Sequence, residues 1–533
     1  MQYSHSYLSV SPTLLTIPNS TARRVRSHAM LLSLLLVTCA LCSGMDAATV
    51  TPTTTPAITI NPTVGPPTST VFVSGSGFDP YANVDVYFDA SDLALATTNG
   101  AGVFGGVSVR SGIAVPVPAS AIPGTHWITA VERFGHKMAR KSFLVRTDWA
   151  QFHFEPSHTG LNPYENVLSP DTVGGLTLRW SYPASNFSLS PTVANGVVYE
   201  ASDYLYALNA SSGALLWQYP TSGGVGSTPA VANGVVYFGD AIGNLYALNA
   251  SSGALLWQYT AGDTITSSPA VANGVVYFGS YNYNVYALNA TTGALLWRYQ
   301  TDDYGYVTSS PAVTNGVVYI GSDNGSLYAM NASTGVRLWV YRTYSLFSSP
   351  AVANGVVYIE NYDGNLYALN ASSGALLWQY PTAEGLGSTP AVANGVVYFG
   401  SYDNLCAVNA NTRALLWQFT TGLFPASPAV ANGVVYVVSL NENAYALNAT
   451  TGALLWQSVI GGHSHSSPAV VDGVVYVGAG ENGIYAFGLP GSQLSKSLSP
   501  PERPDPALLR PDWKLQPSTP VTQTPSTSQK RVE

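Results

Sequence analysis

The chain has 533 residues, only 9% of them charged, and its formal net charge at pH 7 is −8. An acidic chain with so few basic residues lacks the positive surface that a nucleic-acid backbone requires, so we expect no nucleic-acid partner. The aromatic content of 11% excludes global disorder, and the abundance of Gly, Tyr, Val, Ser and Thr favours an all-β protein.

The first 48 residues are typical of an export signal. Arg23, Arg24 and Arg26 precede an apolar run over residues 29–41, and small residues follow that run. A basic flank, a short apolar stretch and a small-residue exit match a secretory signal, and the run is short for a membrane span. We therefore expect a secreted or cell-surface protein, with an uncleaved N-terminal anchor as the alternative and no other membrane span.

A Thr/Pro-rich linker over residues 49–56 leads into short alternating apolar runs over residues 57–146. Turn signals such as Asn99-Gly100 and Pro123-Gly124 separate the runs. Six or seven short strands in about 90 residues predict a small β-sandwich. The phrase Val-Phe-Val-Ser-Gly-Ser-Gly-Phe at residues 71–78 resembles the opening of immunoglobulin-like modules, which implies a spacer or presenting domain.

The middle of the chain is a repeat array. A Pro-x-Val-x-Asn/Asp-Gly-Val-Val-Tyr phrase occurs eight times between Pro191 and Pro468, at intervals of 38 to 42 residues. A fixed period near 40 is the mark of a propeller or solenoid. Each copy holds four short apolar runs, and Asn-Gly, the strongest short hairpin signal, separates the first two. Four antiparallel strands per repeat predict a propeller blade.

The ends of the array predict ring closure. Seven repeats end on a tryptophan, whereas Trp180 has no strand phrase before it and the last phrase, near Phe487, has no tryptophan strand after it. Residues 176–182 should therefore supply the outer strand of the final blade, which pairs the first and last strands and removes the open edges. The prediction is an eight-bladed propeller over residues 147–488, followed by a disordered Pro/Ser/Thr-rich tail over residues 489–533.

The repeat carries a family resemblance. Residues 207–217 read Ala-Leu-Asn-Ala-Ser-Ser-Gly-Ala-Leu-Leu-Trp, and this phrase resembles the tryptophan-docking repeat of pyrroloquinoline-quinone-type propellers, with Asn in place of Asp. Asp148-Trp149 and His158-Thr159-Gly160 also resemble the segment that leads into such propellers. The resemblance implies that the tryptophans pack between adjacent blades. The docking tryptophans are Trp180, Trp217, Trp257, Trp297, Trp339, Trp378, Trp417 and Trp456.

The sixth repeat departs from the pattern at two positions. Arg413 stands where the turn glycine is expected, and a left-handed backbone there costs an L-residue on the order of 1 kcal/mol. Cys406 replaces the tyrosine of its repeat. We expect a buried core thiol at Cys406 rather than a nucleophile.

The resemblance leaves two kinds of activity open. The family includes quinone-dependent alcohol and sugar dehydrogenases, and non-catalytic scaffolds such as the barrel-assembly lipoprotein of outer membranes. A dehydrogenase would imply an axial quinone pocket, a calcium with carboxylate ligands, an aspartate base and often adjacent cysteines. This sequence has no adjacent cysteines, and between Ser181 and Gly488 it has no lysine and four arginines. We expect no cofactor, and a dehydrogenase using pyrroloquinoline quinone (PQQ) and calcium is the alternative.

The repeats differ from one another after each tryptophan and between the second and third strands. In a four-stranded blade both sets of loops emerge on one face, which makes that face the candidate binding surface. Its acidic and aromatic residues suit a cation, a sugar or a basic partner. The candidates are Asp263, Asp302, Asp303, Tyr304, Tyr306, Asp323, Asp363, Glu384, Asp403, His463 and His465.

Two pairs among these residues suggest specific chemistry. His463 and His465 would lie on one side of an extended strand, where they could bind a transition metal, although two ligands are too few without nearby carboxylates. Asp302 and Asp303 could chelate calcium or act as an acid/base pair. The sequence favours a monomeric, non-catalytic binding scaffold for a protein or glycan partner, with a carbohydrate-binding surface protein as a further alternative.

Overall fold

The computed structural model describes residues 55–106, 111–184, 189–344, 348–382 and 387–491. The predicted signal, the linker up to residue 54 and the tail beyond residue 491 lie outside the described residues. Within the described ranges, no helix has the length and apolar character that crossing a membrane requires.

Two sheets precede the repeats. One has the strand order β1-β3-β6 and the other β2-β8-β7-β4-β5. The alternation of β3 buries Val71 and Val73, which pack in one core with Phe88, Ile128 and Phe143. The strands are β1 Ala57–Asn61, β2 Val64–Gly65, β3 Thr70–Ser76, β4 Asn83–Phe88, β5 Ser91–Thr97, β6 Ile113–Pro116, β7 Gly124–Glu132 and β8 Met138–Val145.

The repeat region forms antiparallel sheets, and the part of the chain that the structure describes contains eight of them, seven with four strands and one in which β9 (Leu161–Asn162) adds a fifth strand parallel to β35 (Ala429–Ala431). Two strands precede the first full repeat: β9 Leu161–Asn162 and β10 Thr177–Tyr182. The first four sheets consist of β11 Thr192–Ala194, β12 Val197–Ala201, β13 Tyr204–Asn209 and β14 Leu215–Pro220; β15 Ala230–Ala232, β16 Val235–Gly239, β17 Asn244–Asn249 and β18 Leu255–Thr260; β19 Ala270–Ala272, β20 Val275–Gly279, β21 Asn284–Asn289 and β22 Leu295–Gln300; and β23 Ala312–Thr314, β24 Val317–Ser322, β25 Ser326–Asn331 and β26 Arg337–Arg342.

The remaining sheets continue the same meander. They consist of β27 Ala351–Ala353, β28 Val356–Asn361, β29 Asn365–Asn370 and β30 Leu376–Pro381; β31 Ala391–Ala393, β32 Val396–Ser401, β33 Asn404–Asn409 and β34 Leu415–Thr420; β35 Ala429–Ala431, β36 Val434–Ser439, β37 Asn443–Asn448 and β38 Leu454–Val459; and β39 Ala469–Val471, β40 Val474–Gly478 and β41 Ile484–Gly488 with β10. Three short 3-10 helices lie at Val173–Gly175, Asp302–Tyr304 and Gly480–Asn482.

Local turn chemistry builds each sheet. Asn233 and Gly234 adopt φ values of 51° and 77° between the first two strands, as the Asn-Gly signal predicts. Between the third and fourth strands, the Asn249 Oδ1 atom accepts the backbone N–H groups of Ser251 and Ser252, both at 3.0 Å. The same two turns recur in the other repeats, which explains why these segments scarcely vary.

The array closes into a ring through the strand that Trp180 predicts. β10 pairs antiparallel with β41, so residues from the start of the array complete the last sheet. The first strand of each sheet contacts the first strand of the next, and β11 contacts β39. The first strands therefore surround a central channel, and the fourth strands lie at the circumference.

The tryptophans join each sheet to the next. In seven of the eight docking tryptophans the Nε1–H group donates to a backbone carbonyl of the following sheet. Trp456 donates instead to the Leu176 carbonyl, and all eight distances are 2.9 to 3.1 Å. In six sheets a turn glycine lies against the preceding tryptophan ring, and a Cβ on Gly374, for example, would lie 2.7 Å from the Trp339 ring. Arg413 occupies this position in the sixth repeat with φ 55°.

The segment before β10, residues 148–162, contacts the first strand of all eight sheets in turn. We name it the lead-in segment. Trp149 pairs with Val193, and the Ala150 carbonyl accepts the Val231 N–H at 2.7 Å. Six further hydrogen bonds reach the first strands of the other six sheets. They come from the side chains of Gln151 and Asn162 and from the backbone carbonyls of Pro156, Ser157, Thr159 and Gly160. The segment therefore lies across one end of the channel and contacts every sheet.

Two histidines of the lead-in segment are fully buried. The Nδ1 atom of His153 lies 3.4 Å from the His158 carbonyl, and that of His158 lies 3.2 Å from the Pro350 carbonyl. Burial lowers the pKa of His153 to about 4 and, together with the nearby His153, that of His158 to about 3. Both residues have a left-handed backbone, and both are neutral at physiological pH.

Candidate functional site

The meander gives the propeller two different faces. We name the face that holds the first–second and third–fourth strand turns the turn face, and the opposite one, with the second–third and inter-sheet loops, the loop face. The N-terminal sandwich and the lead-in segment contact the turn face. The Thr147 N–H donates to Asp472 at 2.9 Å, and the Asn166 side-chain amide donates to the Ala121 carbonyl at 2.8 Å. The loop face is the side that these elements leave accessible.

Hydroxyl groups line the channel where the first strands begin. The backbone N–H of Ser268 donates to the Ser310 hydroxyl of the next sheet at 3.0 Å, and Ser310 repeats the contact with Ser349 at 2.9 Å. The same link recurs between other neighbouring sheets, from Thr228 to Ser268 and from Ser467 to Ser190, for example. Each Ser/Thr before the repeat proline thus hydrogen-bonds an adjacent sheet, a role that the sequence did not indicate.

The residues around the central channel do not suit the binding of pyrroloquinoline quinone and calcium, the ligands that the family resemblance suggests. The described arginines of the fourth strands, Arg179, Arg298, Arg337 and Arg342, lie at the circumference, and Arg413 lies on the turn face. None of them is placed to bind the carboxylates of an acidic quinone in the channel. The described residues also contain no group of three His, Cys, Asp or Glu side chains that could hold a metal ion.

Asp302, one of the predicted acid pair, is bound by two cations. Its Oδ2 atom lies 2.5 Å from Arg337 Nη1 and 3.2 Å from Arg342 Nη2. Asp303 lies beside it in the short helix, but its side chain is outside the described set. The two ion pairs fix this carboxylate against β26 of the next sheet, so Asp302 is better suited to holding its loop than to acid/base chemistry.

Two further predicted acids bond within their own loops. Asp363 accepts the Tyr367 hydroxyl at 2.6 Å and the Asn365 amide at 3.0 Å. Asp403 accepts the side-chain amide of Asn404 at 2.6 Å. In each case the carboxylate holds the second–third loop against the third strand, so part of the acidic character of the loop face serves the fold.

His463 and His465 are both exposed on the loop between the last two sheets. The Nδ1 atom of His463 lies 2.9 Å from the Leu440 carbonyl. Neither histidine belongs to a potential metal-binding cluster within the described residues. Glu384, a further candidate, lies outside those residues.

Four tyrosines from two loops come together beside the third sheet. We name Tyr281, Tyr283, Tyr304 and Tyr306 the tyrosine cluster. Tyr306 stacks on Tyr281 and Tyr283 with ring centroids 5.0 and 5.2 Å apart, and Tyr304 meets Tyr283 edge-on at 5.6 Å. Tyr304 is 71% exposed. The sequence placed all four rings on variable loops of this face, with Tyr304 and Tyr306 among the site candidates, and the structure brings them into contact.

Tyr283 occupies a backbone position that other repeats give to glycine. Its φ is 68°, and the corresponding Gly243, Gly325 and Gly364 have φ values of 91°, 85° and 75°. A Cβ on Gly243 would lie 2.5 Å from the backbone of Asp263 in the following loop. The longest repeat interval, 42 residues between Pro269 and Pro311, covers the loop beside Tyr283.

Carboxylates border the tyrosine cluster. The Tyr306 hydroxyl, which is hydrogen-bonded to Tyr283, raises the pKa of Tyr283, and the negative charges of Asp263 and Asp323 add to the shift. Burial raises the pKa of Asp323. Asp263 is exposed. The structure thus brings predicted residues from three successive inter-strand regions to one place on the loop face.

Two buried residues near the loop face are not accessible to a ligand. Glu360 on β28 is fully buried where the other sheets have mainly glycine, and burial raises its pKa well above the ordinary value. Cys406 is buried on β33, and burial raises the pKa of its thiol to about 12. The thiol is protonated, as expected for a core cysteine rather than a nucleophile.

The repeat region matches a known protein family. The family model described as outer membrane protein assembly factor BamB matches residues 168–266, 201–345, 241–417 and 404–494. Among curated proteins, no relative matches this sequence.

Solved structures share the fold at low sequence identity. Quinohemoprotein alcohol dehydrogenase ADHIIG from Pseudomonas putida HK5 is similar with a TM-score of 0.59 and 20% identity, over 67% of this chain and 82% of that one. A europium-containing methanol dehydrogenase has a TM-score of 0.58 and 15% identity, over 64% and 98%. BamB from Moraxella catarrhalis has a TM-score of 0.52 and 18% identity, over 59% and 99%.

Proposed function

The chain belongs to the family of the outer membrane protein assembly factor BamB, a PQQ-type β-propeller family, and from this premise we propose that it is an exported, non-catalytic binding scaffold. The loop face binds the partner, a protein or a glycan, and the sandwich spaces the propeller from its point of attachment. The protein acts as a monomer, outside the cell or at the cell surface.

The observation that carries the proposal is the contrast between the two faces. The turn face repeats the same Asn-Gly and Asn-Ala-Ser turns and contacts the lead-in segment and the sandwich. The loop face varies from repeat to repeat and exposes aromatic side chains such as Tyr304 and Tyr344. Variable loops on a rigid framework are where binding residues concentrate, and exposed aromatic residues are typical of recognition surfaces.

The dehydrogenase alternative has less support. Structural neighbours include alcohol and methanol dehydrogenases, but at 15–20% identity the likeness concerns the fold. The channel presents Ser/Thr hydroxyls, and its described residues supply neither the cations nor the carboxylate cluster that a quinone and calcium would require. We therefore propose a function that uses no cofactor.

A paired capture experiment tests the proposal. The exported full-length protein is immobilised and exposed to surface material from its own host, beside a loop-face variant, Asp263→Ala with Tyr344→Ala, and a turn-face variant, Ser211→Ala with Ser251→Ala. We expect the loop-face variant alone to lose the specifically bound component. Equal capture by both variants would contradict the proposal, as would dye-linked oxidation of alcohols or glucose after titration with pyrroloquinoline quinone and calcium.

A further inference from the structure

We infer that the tyrosine cluster is a binding site for a neutral carbohydrate chain, an inference that rests on the loop-face function proposed above. A pyranose ring has one face of C–H groups and a rim of hydroxyl groups. The C–H face packs on an aromatic ring, whose π-face is electron-rich, while the hydroxyls bond carboxylates, amides and phenolic hydroxyls. The cluster supplies both kinds of group in one place.

The rings are held in position before any ligand arrives. Tyr306 is stacked with Tyr281 and Tyr283 at interplanar angles of 26° and 20°, and Tyr304 stands at 83° to Tyr283. Mutual packing restricts the rotamers of all four side chains, which lowers the entropy that a ligand must overcome on binding. With 71% of its surface exposed, Tyr304 has the most accessible ring of the cluster.

Exposed tyrosines continue from the cluster along one side of the loop face. Tyr344 follows the fourth sheet, while Tyr362 and Tyr402 lie on the second–third loops of the fifth and sixth sheets. Every exposed tyrosine in the described part of the propeller lies on this arc, which runs from the third sheet to the sixth. An arc of separate aromatic platforms fits an extended chain of several sugar units better than a single small molecule.

Local charge favours a neutral saccharide over an anionic one. Beside the cluster the carboxylate of Asp302 is shared by Arg337 and Arg342, and these two cations do not balance Asp263 and Asp323 as well, so the patch stays acidic and disfavours an anionic chain. Asp263 and Asp323 are suited to accepting sugar hydroxyls. A basic peptide is the competing ligand, and the salt dependence of binding distinguishes it from a neutral saccharide.

The backbone conformation at Tyr283 also indicates that the tyrosine side chain is there for binding rather than for folding. A left-handed conformation is strained for a residue with a Cβ, and three other repeats avoid that strain with glycine. The Tyr283 carbonyl accepts the Thr301 N–H at 2.8 Å, just as Gly243 accepts Ala261 and Gly325 accepts Thr343. Glycine would therefore preserve the loop, so the phenol ring is not needed for the turn itself.

The test uses the exported full-length protein and a panel of neutral hexasaccharides built from α-linked glucose, β-linked glucose, mannose and N-acetylglucosamine. Binding is measured by isothermal titration calorimetry at low and high ionic strength. The variants are Tyr304→Ala and Tyr283→Gly. The matched control is Glu442→Gly, because Glu442 has φ 67° at the same loop position in the seventh sheet and lies away from the arc. Thermal unfolding of each variant verifies that it is folded.

We expect at least one hexasaccharide to bind, with little dependence on salt. Each tyrosine substitution should weaken that binding by about tenfold, and Glu442→Gly should leave it unchanged. If no hexasaccharide binds, or if the tyrosine variants bind as well as the parent, the carbohydrate inference is wrong. Binding of a Lys/Arg-rich peptide that disappears at high salt would likewise overturn it in favour of a basic partner.

The capture experiment separates failure of this inference from failure of the proposed function. If hexasaccharides do not bind but surface material is still captured through the loop face, only the carbohydrate assignment is wrong. If neither binding is observed, the loop face is not the binding surface and both conclusions are wrong.

Discussion

The buried histidines of the lead-in segment predict a strong acid sensitivity of the fold. In the unfolded chain each histidine takes up a proton below about pH 6.5. In the folded protein His153 and His158 stay neutral down to about pH 4 and about pH 3. The unfolded state therefore binds more protons between these limits, so the contribution of these two histidines to stability is complete at neutral pH and is lost as the pH falls.

The size of the effect follows from the two pKa shifts. From pH 6.5 to pH 4.5 each neutral histidine removes about 1.4 kcal/mol of stability per pH unit, so the pair removes about 5 kcal/mol. Asparagine is the suitable replacement, since it tolerates a left-handed backbone and its amide can donate to the carbonyls that face the Nδ1 atoms. The double variant His153→Asn/His158→Asn should be far less sensitive to acid than the parent protein.

The assay is equilibrium urea unfolding of both proteins at pH 7 and pH 4.5, followed by fluorescence. Other titrating groups contribute equally to both proteins and cancel in the comparison. The same substitution at the exposed His136, His136→Asn, provides the matched control. If the parent and the double variant lost the same stability on acidification, the histidines would not be buried in neutral form, and our view of the lead-in segment would be wrong.

Three further predictions concern repeats that depart from their neighbours. Arg413→Gly should raise the free energy of unfolding by about 1 kcal/mol, because glycine relieves the left-handed backbone. Gly374→Arg should lower the free energy of unfolding by at least as much. Denaturant unfolding in which Arg413→Gly shows no gain would contradict this reasoning. The Cys406 thiol should react with a thiol reagent only after unfolding, since burial raises its pKa to about 12, and stoichiometric labelling of the native protein would disprove this. Burial raises the pKa of Asp472 to about 8, so this carboxyl by itself destabilises the fold progressively as the pH rises from 4 to 8. Asp472→Asn, which restores the residue of the other repeats, should therefore gain stability relative to the parent over that range; parallel pH profiles of the two proteins would refute the assignment.

The sequence predicted the framework because each part of it has a local chemical signal. Asn-Gly marks the first turn, and the Asn and Gly of the docking phrase mark the second. The unpaired Trp180 and the tryptophan-free last repeat together indicated that β10 closes the ring. These signals depend on neighbouring residues, so one sequence was sufficient to read them.

The contacts of the lead-in segment have no comparable signal. Most of its bonds to the eight first strands join backbone groups, which every residue type possesses. The hydroxyl links around the channel use common Ser and Thr residues whose partners lie about 40 positions away in the chain. The sequence also gave no sign that Arg337 and Arg342 would both bind Asp302, since the three residues meet only after two sheets are packed together.

The tyrosine cluster shows where sequence reasoning on a repeat protein is strongest and where it stops. Comparison between copies identified Tyr304 and Tyr306 as departures, because the other repeats serve as an internal reference. It placed Tyr283 on the variable loops of the same face but did not distinguish it from the other loop residues, since its left-handed backbone becomes visible only in the structure. A departure matters most where the consensus residue is the less strained one, because the substitution then has a stability cost of about 1–2 kcal/mol without a benefit to the fold. Arg413 and Tyr283 both meet that condition, but only Tyr283 has its side chain among other exposed aromatic rings on the loop face. We therefore assign a role in ligand recognition to Tyr283. For Arg413 we expect only that replacement by glycine stabilises the protein.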